Sequence, residues 1–92
     1  MMKLQTTNAF RKDYKRCKKR GLDMKLLQEV IKTLLAEKTL AEKHHDHALV
    51  GEYIGFRECH IQPDWLLIYK ADKESLILIA SRTGKHNDIF DE

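Results

Sequence analysis

The chain has 92 residues, 42% of them hydrophobic and 34% charged, with four Gly and one Pro. That length and composition describe one ordinary globular domain with a single modest core and no room for a separate regulatory domain. Net charge is only +3, but residues 1–43 hold 12 Lys and Arg against 5 Asp and Glu, whereas residues 44–92 hold 5 against 9, so the halves carry +7 and −4.

The N-terminal MMKLQTTNAF has no apolar run of signal-peptide length, and no segment reaches membrane-spanning length, so the expected compartment is the cytoplasm, with no membrane partner. Two cysteines, Cys17 and Cys59, are too few for a disulfide scaffold and are expected as reduced thiols.

In chain order, Lys3 to Thr6 is a candidate first strand. Thr7 and Asn8 are both good N-caps for a first helix, in which Phe10, Tyr14 and Cys17 share one face. Arg11, Lys12, Lys15, Arg16, Lys18, Lys19 and Arg20 sweep the opposite arc, with Asp13 the one acid among them, and Gly21 ends the helix. A surface this basic attracts a polyanion or an acidic partner. Asp23 caps a second helix, whose apolar stripe is Leu26, Leu27, Val30, Ile31, Leu34 and Leu35. The short joint folds the two helices into an antiparallel hairpin.

Lys38 to Leu49 is polar, carries three histidines, and reads as an extended connection. From Gly55 the pattern changes to strands. Phe56–Ile61, Trp65–Lys70 and Ser75–Ser81 are rich in aromatic and β-branched residues, with turns at Gln62–Asp64 and Ala71–Glu74. Residues 85–90 suit one helical turn. The expected fold is α+β: a helix hairpin packed on a small, mainly antiparallel sheet in the order β-α-α-β-β-β.

Pairing these strands brings separated polar residues together. If Pro63-Asp64 turns the first hairpin, His60 lies opposite Trp65. If residues 71–74 turn the second, Trp65 lies opposite Ala80 and Asp64 opposite Ser81, with Arg82 beside Pro63 and Asp64 and His86 one turn later. These residue types suit cleavage of RNA by its own 2′-hydroxyl, which needs a base, an acid and positive charge on the phosphorane. Histidine serves as acid or base at neutral pH, and arginine binds phosphate oxygens without ever deprotonating. Trp65 and Phe90 are candidates to stack on bases. The scheme requires neither metal nor cofactor.

Each residue also has a plain structural reading: Trp65 or His60 as core, Asp64 as a turn residue, Arg82 and His86 as surface, Phe90 as a pin for the tail. A zinc site built from His44, His45, His47, Cys59, His60 and His86 matches no closed ligand spacing, and Cys59 and His60 should point to opposite faces of a strand.

Two segments carry a resemblance. Gly55-Phe-Arg-Glu-Cys-His60-Ile-Gln-Pro-Asp64-Trp65-Leu-Leu-Ile-Tyr69 and Arg82-Thr-Gly84-Lys-His86-Asn-Asp-Ile-Phe90 resemble the YafQ branch of the RelE superfamily of bacterial toxins, and Asp46-His47-Ala-Leu-Val-Gly51 resembles its Asp-His-x-Leu-x-Gly element. The resemblance extends over essentially the whole chain. It implies an endoribonuclease that cuts messenger RNA in the ribosomal A site, paired with a neutralising antitoxin and meeting DNA only through that complex. It also implies a site of His47, His60, Asp64, Arg82, His86 and Phe90, with Trp65 as aromatic neighbour. His86 would be the acid, Arg82 the phosphate stabiliser, and Asp64 or His60 the base. His47 and Phe90 would position the substrate. After the glycine the family usually has Trp, whereas here Tyr53 follows Glu52. The adjacent His44 and His45 are expected as exposed loop residues. The alternative function is a non-catalytic RNA-binding or regulatory module of the same fold.

Overall fold

The computed structural model describes residues 1–90. The elements are β1 (Lys3–Thr6), α1 (Asn8–Lys19), α2 (Met24–Leu35), β2 (His47–Ala48), β3 (Arg57–Gln62), β4 (Trp65–Asp72), β5 (Ile77–Gly84) and α3 (His86–Phe90), with single 3-10 turns at Glu42–His44 and Gly51–Tyr53. The expected α+β order is present, and the polar connection also supplies the two-residue strand β2. No helix among the described residues is long and apolar enough to cross a membrane.

Local chemistry sets the helix ends. The Thr7 hydroxyl accepts from the Phe10 amide at 3.0 Å and donates to the Ser81 carbonyl at 2.7 Å, so one side chain both caps α1 and ties it to β5. Gly21, at φ +82°, turns the chain after α1, and the Asp23 carboxylate accepts from the Lys25 amide at the start of α2. Phe10 and Cys17 of α1 and Leu27, Val30 and Ile31 of α2 are buried against Cys59, Ile61, Trp65, Leu67, Tyr69, Leu78 and Ala80 of the sheet. Each such large side chain contributes roughly 1.5–3 kcal/mol. Leu26, expected in the apolar stripe, is instead exposed.

The five strands form one sheet in the order β1-β5-β4-β3-β2, antiparallel except for the parallel β1–β5 pair. Alternation along β4 divides its apolar run between two layers. Trp65, Leu67 and Tyr69 meet the helices, while Leu66 and Ile68 face the other side, where Ile89, Leu49, Tyr53, Phe56 and Phe90 cover them. The WLLIY run is apolar throughout because both of its faces are covered.

The register differs from the sequence expectation. Trp65 pairs with Gln62, not His60, and the β4–β5 ladder begins at Asp72–Ile77. Asp72 moves the second turn: its carboxylate accepts from the Glu74 and Ser75 amides at 3.1 Å, and Leu76 takes a left-handed φ of 56°. A bulge then leaves Ser81 unpaired, between Tyr69–Ala80 and Ile68–Arg82. Arg82 therefore lies opposite Ile68, well inside the sheet, and not beside Pro63 and Asp64 as expected.

Both cysteines are free and buried. Burial pushes the Cys59 thiol up to about 12, and it raises Cys17 as well. Neither thiol should react with an alkylating reagent at pH 8 in the native protein, and both should react at once in denaturant. Rapid labelling of the native protein, read by mass spectrometry, would show that the core is not closed over them.

Candidate active site

Successive pairings put His47 opposite Glu58, Glu58 opposite Ile68, and Ile68 opposite Arg82. Directly paired residues project from the same face, so these four form a row across β2, β3, β4 and β5. The next row is His60, Leu66 and Gly84. With strands about 4.8 Å apart, the Cα atoms of Glu58 and Arg82 are separated by about 10 Å across an apolar floor. Leu66 and Ile68 form that floor, and Ile89, Leu49, Tyr53, Phe56 and Phe90 pack over it. The bulge at Ser81 makes the row possible, because without it Arg82 would share the helix-facing phase of Leu78 and Ala80.

Glu58 holds the left side of the site. It is buried, with one carboxylate oxygen 3.5 Å from His47 Nε2 and the other 3.8 Å from His60 Nε2. The second ring nitrogens meet carbonyls: His47 Nδ1 lies 2.7 Å from the His45 oxygen, and His60 Nδ1 3.2 Å from the Pro63 oxygen. A carbonyl only accepts, so both Nδ1 atoms carry the donated proton and a neutral ring leaves Nε2 with its lone pair. His44 and His45 do more than the loop role expected of them. The His44 ring donates to the His60 carbonyl at 2.7 Å, and the His45 ring packs edge-on against His60 at 5.7 Å.

Arg82 holds the right side. Its Nε donates to Asp13 Oδ2 at 2.7 Å, and its Nη2 to Asp13 Oδ1 at 3.2 Å and to the Asp88 carbonyl at 3.3 Å. The hydrogen bond to Asp13 is the main reason its pKa lies above the ordinary arginine value, partly opposed by burial; the Tyr53 hydroxyl contributes as well.

The short helix α3 places His86 and Phe90, whose rings are 4.7 Å apart, and Tyr53 meets Phe90 edge-on at 5.6 Å. Asp88 fixes this helix. Its carboxylate accepts from the Lys85 amide at 3.1 Å and from Arg20 Nη1 at 2.8 Å. Gly84, at φ +145°, lets the carboxylate approach, since a Cβ there would sit 3.2 Å from Asp88 Oδ2.

The tertiary structure changes three of the roles expected from the sequence. Trp65 is core and unavailable to a base: it is 2% exposed, and its Nε1 donates to the Thr83 hydroxyl at 2.9 Å. Asp64 sits out on the hairpin turn, exposed, with Lys85 Nζ 3.8 Å away, and Arg82 is not its neighbour. The basic arc of α1 is divided. Arg16 pairs with Asp13, Arg20 with Asp88, and Arg11 bonds to Thr6 and Asn8, leaving Lys12, Lys15, Lys18 and Lys19 exposed without a described partner.

A family model for the bacterial toxin of type II toxin–antitoxin systems, YafQ, matches residues 2–91. The chain belongs to the YafQ toxin family. The mRNA interferase toxin YafQ of Escherichia coli K12 is 37% identical over 89 residues, covering 95% of this chain and 94% of the relative. A metal-bound toxin from Helicobacter pylori superposes with a TM-score of 0.92 at 42% identity, covering 98% of this chain and all of the other. The toxin of the E. coli DinJ–YafQ complex gives 0.86 at 33% identity, covering 97% of each chain. These matches bear out the RelE-like fold expected from the sequence. The bound metal belongs to the H. pylori protein. Among the described residues of this YafQ-family toxin, no group of three or more His, Cys, Asp or Glu is placed to hold a metal ion, and the imidazoles of His47 and His60 instead face one carboxylate.

Glu58 and Asp13 are not among the site residues expected from the sequence. Glu58 has a signal, standing two residues before His60 in a strand and hence on the same face. Asp13 has only its isolation in a basic run.

These contacts can be tested by substitution. Trp65→Phe should keep messenger RNA cleavage within about twofold while lowering unfolding free energy by roughly 1–2 kcal/mol through the hydrogen bond lost to buried Thr83. A large loss of cleavage with unchanged stability would return Trp65 to the substrate. Arg20 holds the Asp88 carboxyl below its usual value, so the folded state gains stability from it above the unfolded carboxylate range, and loses that gain as pH falls through the lowered folded value. Asp88→Asn should therefore be less stable than wild type at pH 7, with the gap closing below about pH 4. Denaturant titrations at both pH values read this directly, and a gap independent of pH would contradict it.

Proposed function

We propose that this YafQ-family toxin is a ribosome-dependent endoribonuclease that cuts messenger RNA by general acid–base catalysis from its own side chains, and so inhibits translation in the cytoplasm. The observation that carries the reading is the face described above, where histidines approach from one side of an apolar floor and Arg82, with His86 two residues beyond Gly84, from the other.

In this reading neutral His60 is the base. Its Nδ1–H is committed to the Pro63 carbonyl, which leaves Nε2 to take the 2′-hydroxyl proton. The imidazolium so formed faces Glu58 at 3.8 Å, and the carboxylate stabilises it. Arg82 neutralises the phosphorane, where negative charge builds up. His86 gives its proton to the departing 5′-oxygen. His47 and Phe90 position the strand. Asp64, on the exposed turn beside Lys85, is assigned a substrate contact in place of the base role.

The His47 side chain is half exposed, and a substrate held at such a surface gains most from a second surface that fixes the messenger RNA in place, which supports ribosome dependence. Lys12, Lys15, Lys18 and Lys19 supply an electrostatic surface for ribosomal RNA or for an acidic antitoxin segment, with operator DNA met only through the antitoxin complex.

His86→Ala and His60→Ala should each slow cleavage roughly 10²–10⁴-fold on translating ribosomes. Antitoxin binding should be retained, and growth arrest on induction lost. Mapping of 5′ ends on messenger RNA reads the cleavage. Wild-type cleavage by either variant removes that residue from the chemistry, and no cleavage by the wild-type chain leaves a non-catalytic RNA-binding module.

A further inference from the structure

We infer that Asp13, the one acid in the basic run of α1, is the positioning residue for the phosphate-binding arginine. This inference rests on the role given to Arg82 above.

Asp13 is 2% exposed, and its carboxylate accepts four hydrogen bonds from three residues. Arg82 Nε reaches Oδ2 at 2.7 Å and Arg82 Nη2 reaches Oδ1 at 3.2 Å, the side-on fork of a guanidinium on a carboxylate. Arg16 Nη2 meets Oδ1 at 2.6 Å, and the Thr83 amide meets Oδ2 at 3.2 Å. The Thr83 contact fixes the carboxylate to the β5 backbone at the residue next to Arg82, so helix, strand and guanidinium share one anchor.

The donor inventory of Arg82 then determines which edge serves substrate. A guanidinium has five N–H groups. Nε–H and both Nη2 hydrogens are directed at Asp13 and at the Asp88 carbonyl, which leaves the Nη1 edge for a phosphate oxygen, with the Tyr53 hydroxyl as a further polar group acting on the guanidinium. A free arginine would lose rotamer freedom on reaching this pose, whereas Asp13 imposes it before substrate arrives. Lysine at 82 cannot reproduce the arrangement, because one ammonium cannot form the side-on fork with Asp13 and still present a fixed second edge to phosphate.

The test is a double-mutant cycle in a cleavage assay on programmed ribosomes, with Asp13→Asn, Arg82→Ala and the double variant. Asp13→Asn should lower kcat about 100-fold with KM within about threefold, since the lost contact matters where transition-state charge develops. The double variant should be no slower than Arg82→Ala alone within about twofold, because Asp13 acts through Arg82. Arg82→Lys should be as slow as Arg82→Ala. Added guanidinium should partly restore Arg82→Ala only when Asp13 is present to seat it. Antitoxin affinity within about threefold of wild type confirms that each variant is folded. If Asp13→Asn fails that check, Asp13→Glu replaces it under the same criteria, keeping the charge but displacing it by one methylene. The inference is overturned if the Asp13 variant keeps wild-type kcat while Arg82→Ala is slow, or if the two losses multiply. Wild-type cleavage by Arg82→Ala would instead refute the role of Arg82 itself, and the inference with it.

Discussion

The carboxylate of Asp13 is the point at which the two layers of this protein become one object. It lies within the interface between α1 and β5, nearly sealed from water, and it is surrounded by two guanidinium groups and a backbone amide. Removing one partner of an isolated buried pair costs about 3–5 kcal/mol; here the loss of one arginine costs less, because the other guanidinium and the amide still compensate the carboxylate. Even a reduced cost counts against the small net stability of a domain of this size. The same contact fixes α1 against the strand that carries Arg82. Through the Asp88 carbonyl and the Arg20–Asp88 pair, it also extends to the short helix that carries His86. Stability and the arrangement of the site are thus linked through one network of charges.

The sheet provides the other half of the arrangement. A regular ladder would have turned Arg82 toward the helices, and a single unpaired residue, Ser81, reverses the alternation so that Arg82 shares a row with Ile68, Glu58 and His47. The same shift turns Thr83 inward, where it accepts from Trp65 and donates to the Leu66 carbonyl. One bulge therefore seats a core tryptophan and starts Arg82 from the row of Ile68, from which its part-buried guanidinium reaches Asp13 of α1. The polar face tolerates this because its floor is apolar and its rim carries the charges in compensated pairs.

Much of the architecture is legible in the residues themselves. The caps at Thr7 and Asp23, the glycine after α1, the apolar faces of both helices and the three main strands all follow from local preference and periodicity. Membership of the family is legible too, from the ordered motifs between Asp46 and Phe90. The register is not. Local turn preference points to Ala71–Glu74 for the second turn, but Asp72 bonds forward to two amides and carries β4 further, and a bulge has no signature as distinct as a glycine or proline. That displacement moves Arg82 away from the Asp64 turn and toward Glu58.

The sequence by itself determined which groups this protein has to work with: its histidines, its arginine, its basic helix and two amphipathic layers to carry them. It did so because helix and strand periodicity, capping and turn preference act over a few residues. Tertiary structure alone decided which of those groups face each other. It buried Trp65, drew Arg16 and Arg20 out of the basic arc, and enlisted Glu58 and Asp13. Those outcomes depend on strand register and on the compensation of buried charge, and both are settled between residues far apart in the chain.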